Sequence, residues 1–376
     1  MTDLPPKTAG ESARWEHGSE FHLVPHRGEQ AAESPWDGRG VFYATGRDAL
    51  RGLLAEGRAR YGWRRLWLPG YFCQEVVAAL GRTGIGLVVY PDGPASPAPG
   101  FERIPFERGD ALLVVNYFGL RAAPAGDALP RAAVTVIEDH SHDPWSAWAR
   151  SSNADWCIAS LRKTLPAPDG GVLWSPAGHP APPEPAVTDC HRQAALEKLA
   201  AMTLKALYLE GRFDDKELFR RLATAAEGRM GSAEVSGMTG WTRALLPTLP
   251  VTSWRERRRR NHRALATALD GISWVEVLPS RDADGGCPFS GILLFDSPGR
   301  RERVRERLLA ARVYPAILWP LESPALPGIP SEAVALSRRM LSIHCDMRYA
   351  EEDMLRVAGL VIRFGADPEA RPAAEA

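Results

Sequence analysis

Between residues 41 and 174 the chain repeats one alternation. A short, continuous run of apolar residues is followed by a polar stretch or one with helical periodicity. The runs are Val41-Phe42-Tyr43, Leu66-Trp67-Leu68, Leu87 to Tyr90, Ala111 to Val115, Val134 to Ile137, Trp156 to Ala159 and Gly171 to Trp174. Between them, Asp48 to Gly57 sets Leu50, Leu53 and Leu54 on one helical face, and Gln74 to Leu80 reads as a second helix. A strand that is apolar at successive positions needs cover on both of its faces. That is the condition of a parallel sheet with helices above and below, so the fold class is α/β with a mainly parallel, seven-stranded type of sheet.

The rest of the chain is organised around that block. Residues 1–40, rich in Gly, Pro, Glu and His, read as an N-terminal arm that orders where Trp15, Phe21 and Leu23 find a surface. Residues 41–250 form a large domain and 251–376 a small C-terminal α/β domain. A Pro-rich stretch from Pro176 to Pro185 ends the strand alternation. Two helices follow, Thr188 to Glu210 and Asp214 to Glu227, the first with Leu196, Leu199, Met202 and Leu207 as its core positions. Trp254 to Leu269 is a long basic helix. Its run from Arg255 to Arg263 reads as a solvated face. Beyond it Trp274 to Val277, Gly291 to Phe295, a helix from Arg300 to Ala311, Ser342 to His344 and a last helix near 350–364 read as a βαβ-like tail.

Charge excludes some partners. The chain has 46 basic and 46 acidic residues. No global field draws nucleic acid or an anionic membrane to it. No apolar run reaches the length of a membrane span. Its five cysteines are scattered, with no Cys-x-x-Cys pair and no zinc spacing, so no metal site is expected and the thiols read as reduced, in a cytoplasmic protein. The polar N-terminus carries no apolar signal core.

Within this frame Lys163 stands out. Only five of the 46 basic residues are lysines, so the chain uses Arg wherever a fixed cation suffices. An amine that can lose its proton is something Arg cannot supply. Lys163 closes Ser160-Leu161-Arg162-Lys163, between an apolar strand and the pair Gly170-Gly171. Upstream, the strand Val136-Ile137-Glu138-Asp139 ends in an acid. A strand-end Asp and a lysine on the next loop are what a pyridoxal phosphate (PLP) site requires. The lysine forms a Schiff base, and the acid keeps the pyridine nitrogen protonated. Thr45-Gly46-Arg47, opening a helix after a strand, offers backbone amides for a phosphate. Tyr71 and Phe72 offer rings to lie against the cofactor. His142 is placed to support Asp139 or meet the ring hydroxyl, and the Ser160 hydroxyl to reach the phosphate.

These motifs, in this order, resemble the DegT/DnrJ/EryC1/StrS family of PLP-dependent aminotransferases, of the fold-type I (aspartate aminotransferase-like) class, from about residue 41 to 364. Thr45-Gly46-Arg47-Asp48-Ala49-Leu50 resembles the family's phosphate turn, and Pro69-Gly70-Tyr71-Phe72-Cys73 its segment against the cofactor. Val114-Val115-Asn116-Tyr117-Phe118-Gly119 resembles its next strand end, which adds Asn116 to the cofactor-binding candidates. Glu138-Asp139-His140-Ser141-His142 and the loop from Lys163 to Gly171 complete the match, and Leu341 to Met354 resembles the family's last strand, loop and helix. The chain departs from the family in placing Ser160 three residues before the lysine rather than five. It also lacks a clean counterpart of the Asn-Tyr-Arg-Met segment that reaches a neighbouring subunit; Ser236-Gly237-Met238-Thr239 lies in that region. The resemblance implies a PLP cofactor, a homodimer, an amino-acid donor and a small carbonyl acceptor, usually a nucleotide-linked keto-sugar. Other PLP chemistry on the same scaffold, or a non-catalytic PLP-binding relative, stays open. A dinucleotide-binding fold is disfavoured because no Gly-x-Gly-x-x-Gly turn follows a strand.

Overall fold

A computed structural model describes residues 14–26, 32–96, 100–124, 129–131, 133–232, 234–280 and 286–366. The seven apolar runs become one seven-stranded sheet. Its order is Val41–Tyr43, Gly171–Trp174, Trp156–Ser160, Thr135–Asp139, Asp110–Val115, Arg65–Pro69, Gly86–Tyr90. The last five are mutually parallel, and Gly171–Trp174 runs against both of its neighbours. Asp110–Val115 and Trp156–Ser160 are buried at every position, which is why they read as unbroken apolar runs. Alternate residues serve opposite faces. Leu113 and Ile137 join the core that contains Leu50 and Leu53, whereas Leu112, Val114 and Val136 join the core around Trp36, Trp145 and Trp174.

The sheet order sets up the site. Six strands point the same way, so the segments after Tyr43, Pro69, Val115, Asp139 and Ser160 all emerge at one edge. In open α/β sheets this carboxyl edge is where ligands bind.

Three expectations need correction. The C-terminal sheet is antiparallel throughout, ordered Met340–Ile343, Gly291–Phe295, Val275–Val277, so it is not a βαβ unit. After the helix Pro298–Ala310 the chain makes the short strand Val313–Tyr314, and the helix Ser331–Arg339 then leads straight into the last strand from its opposite end. The helix Asp189–Leu209 buries His191, Ala194, Ala195, Lys198, Ala201, Met202 and Lys205, while Leu196 is half exposed. The alanines let the helix Lys216–Ser232 pack close against it, and the lysines find acceptors. The Lys198 amine lies 2.6 Å from Glu20 and 2.9 Å from Glu227. The basic helix Val251–Leu269 is solvated on one side only, where Glu256, Arg257, Arg260 and Arg263 are exposed. Arg258, Asn261 and His262 are buried, and Asn261 donates to three backbone carbonyls, those of Cys345, Asp346 and Tyr349. Val251 packs in the large-sheet core and Leu265 in the small-sheet core, so this helix spans both.

The described part of the arm is a strap. His17–Gly18 pairs in parallel with Val313–Tyr314. Glu16 holds Lys216 at 2.6 Å, and the Trp15 indole donates to Asp353 at 2.7 Å. Among the described residues, no helix is long and apolar enough to cross a membrane.

Candidate active site

At the carboxyl edge of the large sheet lies a cavity of about 540 Å³. Thr45, Gly46, Arg47, Phe72, Asp139, Ser160 and Lys163 all line it, although they come from four separate strand ends. Ser141, Gln74 and Trp319, which were not among the candidate site residues, line it too.

The lysine sits on a tight, well-anchored turn. Leu161–Lys163 is a single 3-10 turn at the end of Trp156–Ser160. The Leu161 amide donates to the Gly170 carbonyl at 3.0 Å, and the Gly170 amide donates to Ala44 at 2.7 Å. Both glycines that frame this region are required by space. A Cβ on Gly171 would lie 2.2 Å from the Thr45 oxygen, and one on Gly46 would lie 2.8 Å from the Ser160 Cβ. The start of the helix Gly46–Arg60 is thereby pressed directly against Ser160. Below the turn Asp169 is fully buried. It accepts hydrogen bonds from the Thr239 amide (2.8 Å), the Thr239 hydroxyl (2.9 Å), the Thr242 hydroxyl and the His191 ring (2.9 Å). Beside it, Arg162 grips Glu227 through two hydrogen bonds of 2.6 and 2.9 Å.

Strand alternation decides which acid faces the cavity. Asp139 lines it, and one carboxylate oxygen accepts from the Ser141 amide at 2.8 Å. Its neighbour Glu138 points the other way, to His140 at 3.0 Å and Ser152 at 2.6 Å. Burial pushes the Glu138 carboxyl up, but its hydrogen bonds with His140 and Ser152 outweigh that and hold it below its usual value. Asp143 is taken up by Arg255 and the Cys287 amide.

Three sequence-predicted residues, Tyr71, Asn116 and His142, do not line the cavity, and a fourth, Thr45, lines it in another role. Tyr71 does not line the cavity. Its hydroxyl donates to the Leu318 carbonyl, and burial raises its pKa far above the usual phenol value. Phe72, the next residue, lines the cavity and supplies the ring. Asn116 is buried below the edge, where its backbone amide donates to Asp139. His142 is buried as well. Its Nδ1 accepts from the Phe118 amide at 3.1 Å, so it supports a loop rather than Asp139. Burial, then the nearby Lys163 charge, push its pKa well below the usual imidazole value, so it stays neutral. Thr45 lines the cavity, but its hydroxyl serves as the helix cap, accepting from the Asp48 amide and donating to the Asp48 carboxylate. The segment Ser236-Gly237-Met238-Thr239 packs against the strand Val41–Tyr43. Ser236, Met238 and Thr239 are buried in their own chain, with the Ser236 carbonyl bonded to Ala44 and Thr239 to Asp169.

Trp319 is the main residue the sequence did not disclose. Its ring lies 5.5 Å from the Lys163 amine, stacks on His142 at 5.7 Å and tilts against Phe72 at 6.0 Å. It sits in an irregular segment more than a hundred residues from the lysine, with no periodicity to mark it.

The residues present fit a phosphorylated pyridine cofactor. The helix that opens at Gly46 and Arg47 starts at the cavity wall, and Arg47, which lines the cavity, has a buried Nε with no hydrogen-bond partner. A ring, an amine and a carboxylate complete the set in Phe72, Lys163 and Asp139.

No sequence-family profile matches the chain, and no curated protein sequence is similar to it. Solved structures are. A DesI structure determined in the presence of its TDP-sugar product shares 21% identity over 87% of this chain and 80% of its own, with a TM-score of 0.55. The PLP form of the putative sugar aminotransferase Spr1654 from Streptococcus pneumoniae shares 13% identity over 87% of each chain, with a TM-score of 0.60. A DegT DnrJ EryC1 StrS aminotransferase from Brucella abortus shares 16% over 87% of this chain and 86% of its own, with a TM-score of 0.52. The chain therefore has the mixed α/β fold of these aminotransferases, with their large, mostly parallel sheet.

Proposed function

We propose that this protein is a divergent DegT/DnrJ/EryC1/StrS-type enzyme that uses PLP to move an amino group from an amino acid to the carbonyl of a keto-sugar or another small substrate. The observation that carries this reading is the meeting of Lys163, Asp139 and the Gly46–Arg47 helix start around one cavity. The DesI structure with its TDP-sugar product and the PLP and PMP forms of Spr1654 support it as to cofactor and substrate class.

Bound in this cavity, PLP would supply an aldehyde for an amine and a ring able to take up negative charge. The protein does the rest. The Gly46 and Arg47 amides, the Arg47 guanidinium and the Ser160 hydroxyl hold the phosphate end, where the helix start favours an anion. Asp139 holds a proton on the ring nitrogen through its negative charge. Phe72 and Trp319 supply aromatic walls. The Lys163 amine would take the proton from the substrate carbon beside the amino group and later return it. As a homodimer in the cytoplasm the enzyme would act on free small molecules, and residues 41–250 and 251–376 would form its cofactor and small domains.

A visible spectrum of the protein after addition of PLP tests this reading. Amino acids that donate should bleach the cofactor band, and their oxo-acids should restore it. A protein that gains no band, or a band that no amino donor alters, would refute the assignment.

A further inference from the structure

The strap reaches the lysine turn through a line of alternating charges. Lys163 and the strap residues Ser19, Glu20 and Phe21 line the same second cavity, of about 440 Å³. Gly18 and Ser19 are both left-handed, at φ 90° and 62°. Gly18 needs that freedom, since a Cβ there would lie 2.3 Å from the Tyr314 carbonyl oxygen. Ser19 adopts it without being glycine, a strained backbone that persists only where its surroundings fix it. This turn delivers Glu20. The Glu20 backbone carbonyl accepts from the Lys205 amine and from Arg348 at 2.9 Å. Its carboxylate, 43% exposed, accepts from the Lys198 amine at 2.6 Å.

The line continues inward. Lys198 also donates to one Glu227 oxygen at 2.9 Å. Arg162 donates to that same oxygen at 2.6 Å and to the other at 2.9 Å. Arg162 directly precedes Lys163 in the 3-10 turn. Burial pushes the Glu227 carboxyl up, but the charges and hydrogen bonds of Arg162 and Lys198 outweigh that and keep it ionised. With the strap docked, the line holds two acids and two cations and carries no net charge. With the strap lifted it loses Glu20 and keeps one positive charge in excess. The cavity's other charged groups, Arg258, Arg348 and Asp346, are not on the strap and keep their charges. His344, which burial and then Arg348 push down to about 3, is neutral. An excess cation beside an amine favours the form without a proton.

We propose that Glu20 is a positioning residue for Lys163, acting through Lys198, Glu227 and Arg162; the inference rests on the reading of Lys163 as the amine that meets the cofactor. Docked, Glu20 balances the line. Lifted, it leaves an excess positive charge beside the Lys163 amine, which then loses its proton more readily and reacts faster with a carbonyl. The strap is thereby coupled to the reactive lysine, although among the described residues no strap group is bonded to it.

The test uses the full chain, cleared of any bound aldehyde with hydroxylamine. It is methylated with formaldehyde and cyanoborohydride at neutral pH, and the initial rate at Lys163 is read by peptide mapping against added N-acetyl-lysine. Only the unprotonated amine reacts. Glu20→Gln should raise the rate about 3-fold, the size expected of one charge screened by partial exposure, and Lys198→Gln should lower it by about the same factor. The double variant should react like wild type, as should Lys198→Arg, which keeps the charge. Loss of a purely structural wall would move both single variants the same way. Shifts in one direction, wild-type rates in both, or a Lys198→Arg rate as slow as that of Lys198→Gln would each overturn the proposal. Failure of the aminotransferase reading shows separately, as a protein that stays colourless with PLP, and leaves the methylation rates readable.

Discussion

Gly46→Ala puts the link between helix start and lysine strand to the test. The added methyl would lie 2.8 Å from the Ser160 Cβ, 3.0 Å from its amide nitrogen and 3.1 Å from its Cα. All three atoms are at or near backbone, in a strand buried at every position, so no flexible side chain can yield. To reach ordinary contact the helix start and Ser160 must separate by roughly half an ångström, a type of overpacking that costs about 1–3 kcal/mol. The displaced groups are the amides and hydroxyl assigned to the phosphate. PLP affinity should therefore fall by about 10-fold or more, each factor of ten being about 1.4 kcal/mol. Gly228→Ala is the control, since nothing lies within 4 Å of its added methyl and the site is helical. It should stabilise the chain by up to about 1 kcal/mol and leave PLP affinity unchanged. Thermal unfolding and PLP titration read both effects. Wild-type PLP affinity in Gly46→Ala would refute the assignment of this helix start to the phosphate.

Other expectations follow from the same geometry. Asp169→Ala strands the His191 ring, the Thr239 amide and two threonine hydroxyls in a buried site, and should cost about 3–5 kcal/mol in denaturant unfolding; a loss under 1 kcal/mol would show that the network carries little. Asp139→Asn keeps shape and the bond from Ser141, so stability should change by less than about 1 kcal/mol while turnover collapses; near-normal turnover would show the acid misassigned. Burial lowers Lys205 to a pKa of about 7, whereas an unfolded lysine keeps its proton to about pH 10.5. Between those values the unfolded chain binds more protons, so this lysine makes stability rise with pH. Lys205→Met should remove that rise: the variant's advantage should be greatest below pH 7 and shrink toward pH 10, and a pH-independent difference would contradict the shift.

The large sheet was legible because its central strands are buried on both faces, which leaves continuous apolar runs such as Ala111 to Val115. Lys163 and Asp139 were legible because each directly follows or ends such a run. What failed was side-chain direction in the irregular segments beyond the strand ends. Tyr71 and Phe72 are adjacent, yet one bonds the Leu318 carbonyl and the other faces the cavity, a choice made by partners some 250 residues away. His142 was drawn into a stack with Phe118 and Trp319 for the same reason. The buried face of Asp189–Leu209 was misjudged because leucines outrank lysines in any apolar pattern. Here the lysines meet Glu20 and Glu227, residues that only the folded strap and the neighbouring helix bring near. The Arg-rich helix misled in the opposite sense. Its charges read as solvated, but Arg258 is packed under the lysine turn.

The central claim is that Lys163 carries the cofactor. Borohydride reduction of the protein loaded with PLP, followed by peptide mapping, tests it most directly. The account predicts a single pyridoxyl label on Lys163, absent from Lys163→Ala and from Lys163→Arg, whose guanidinium keeps the charge but cannot lose the proton. A label on Lys198, Lys205 or Lys216, or on no lysine, would contradict it.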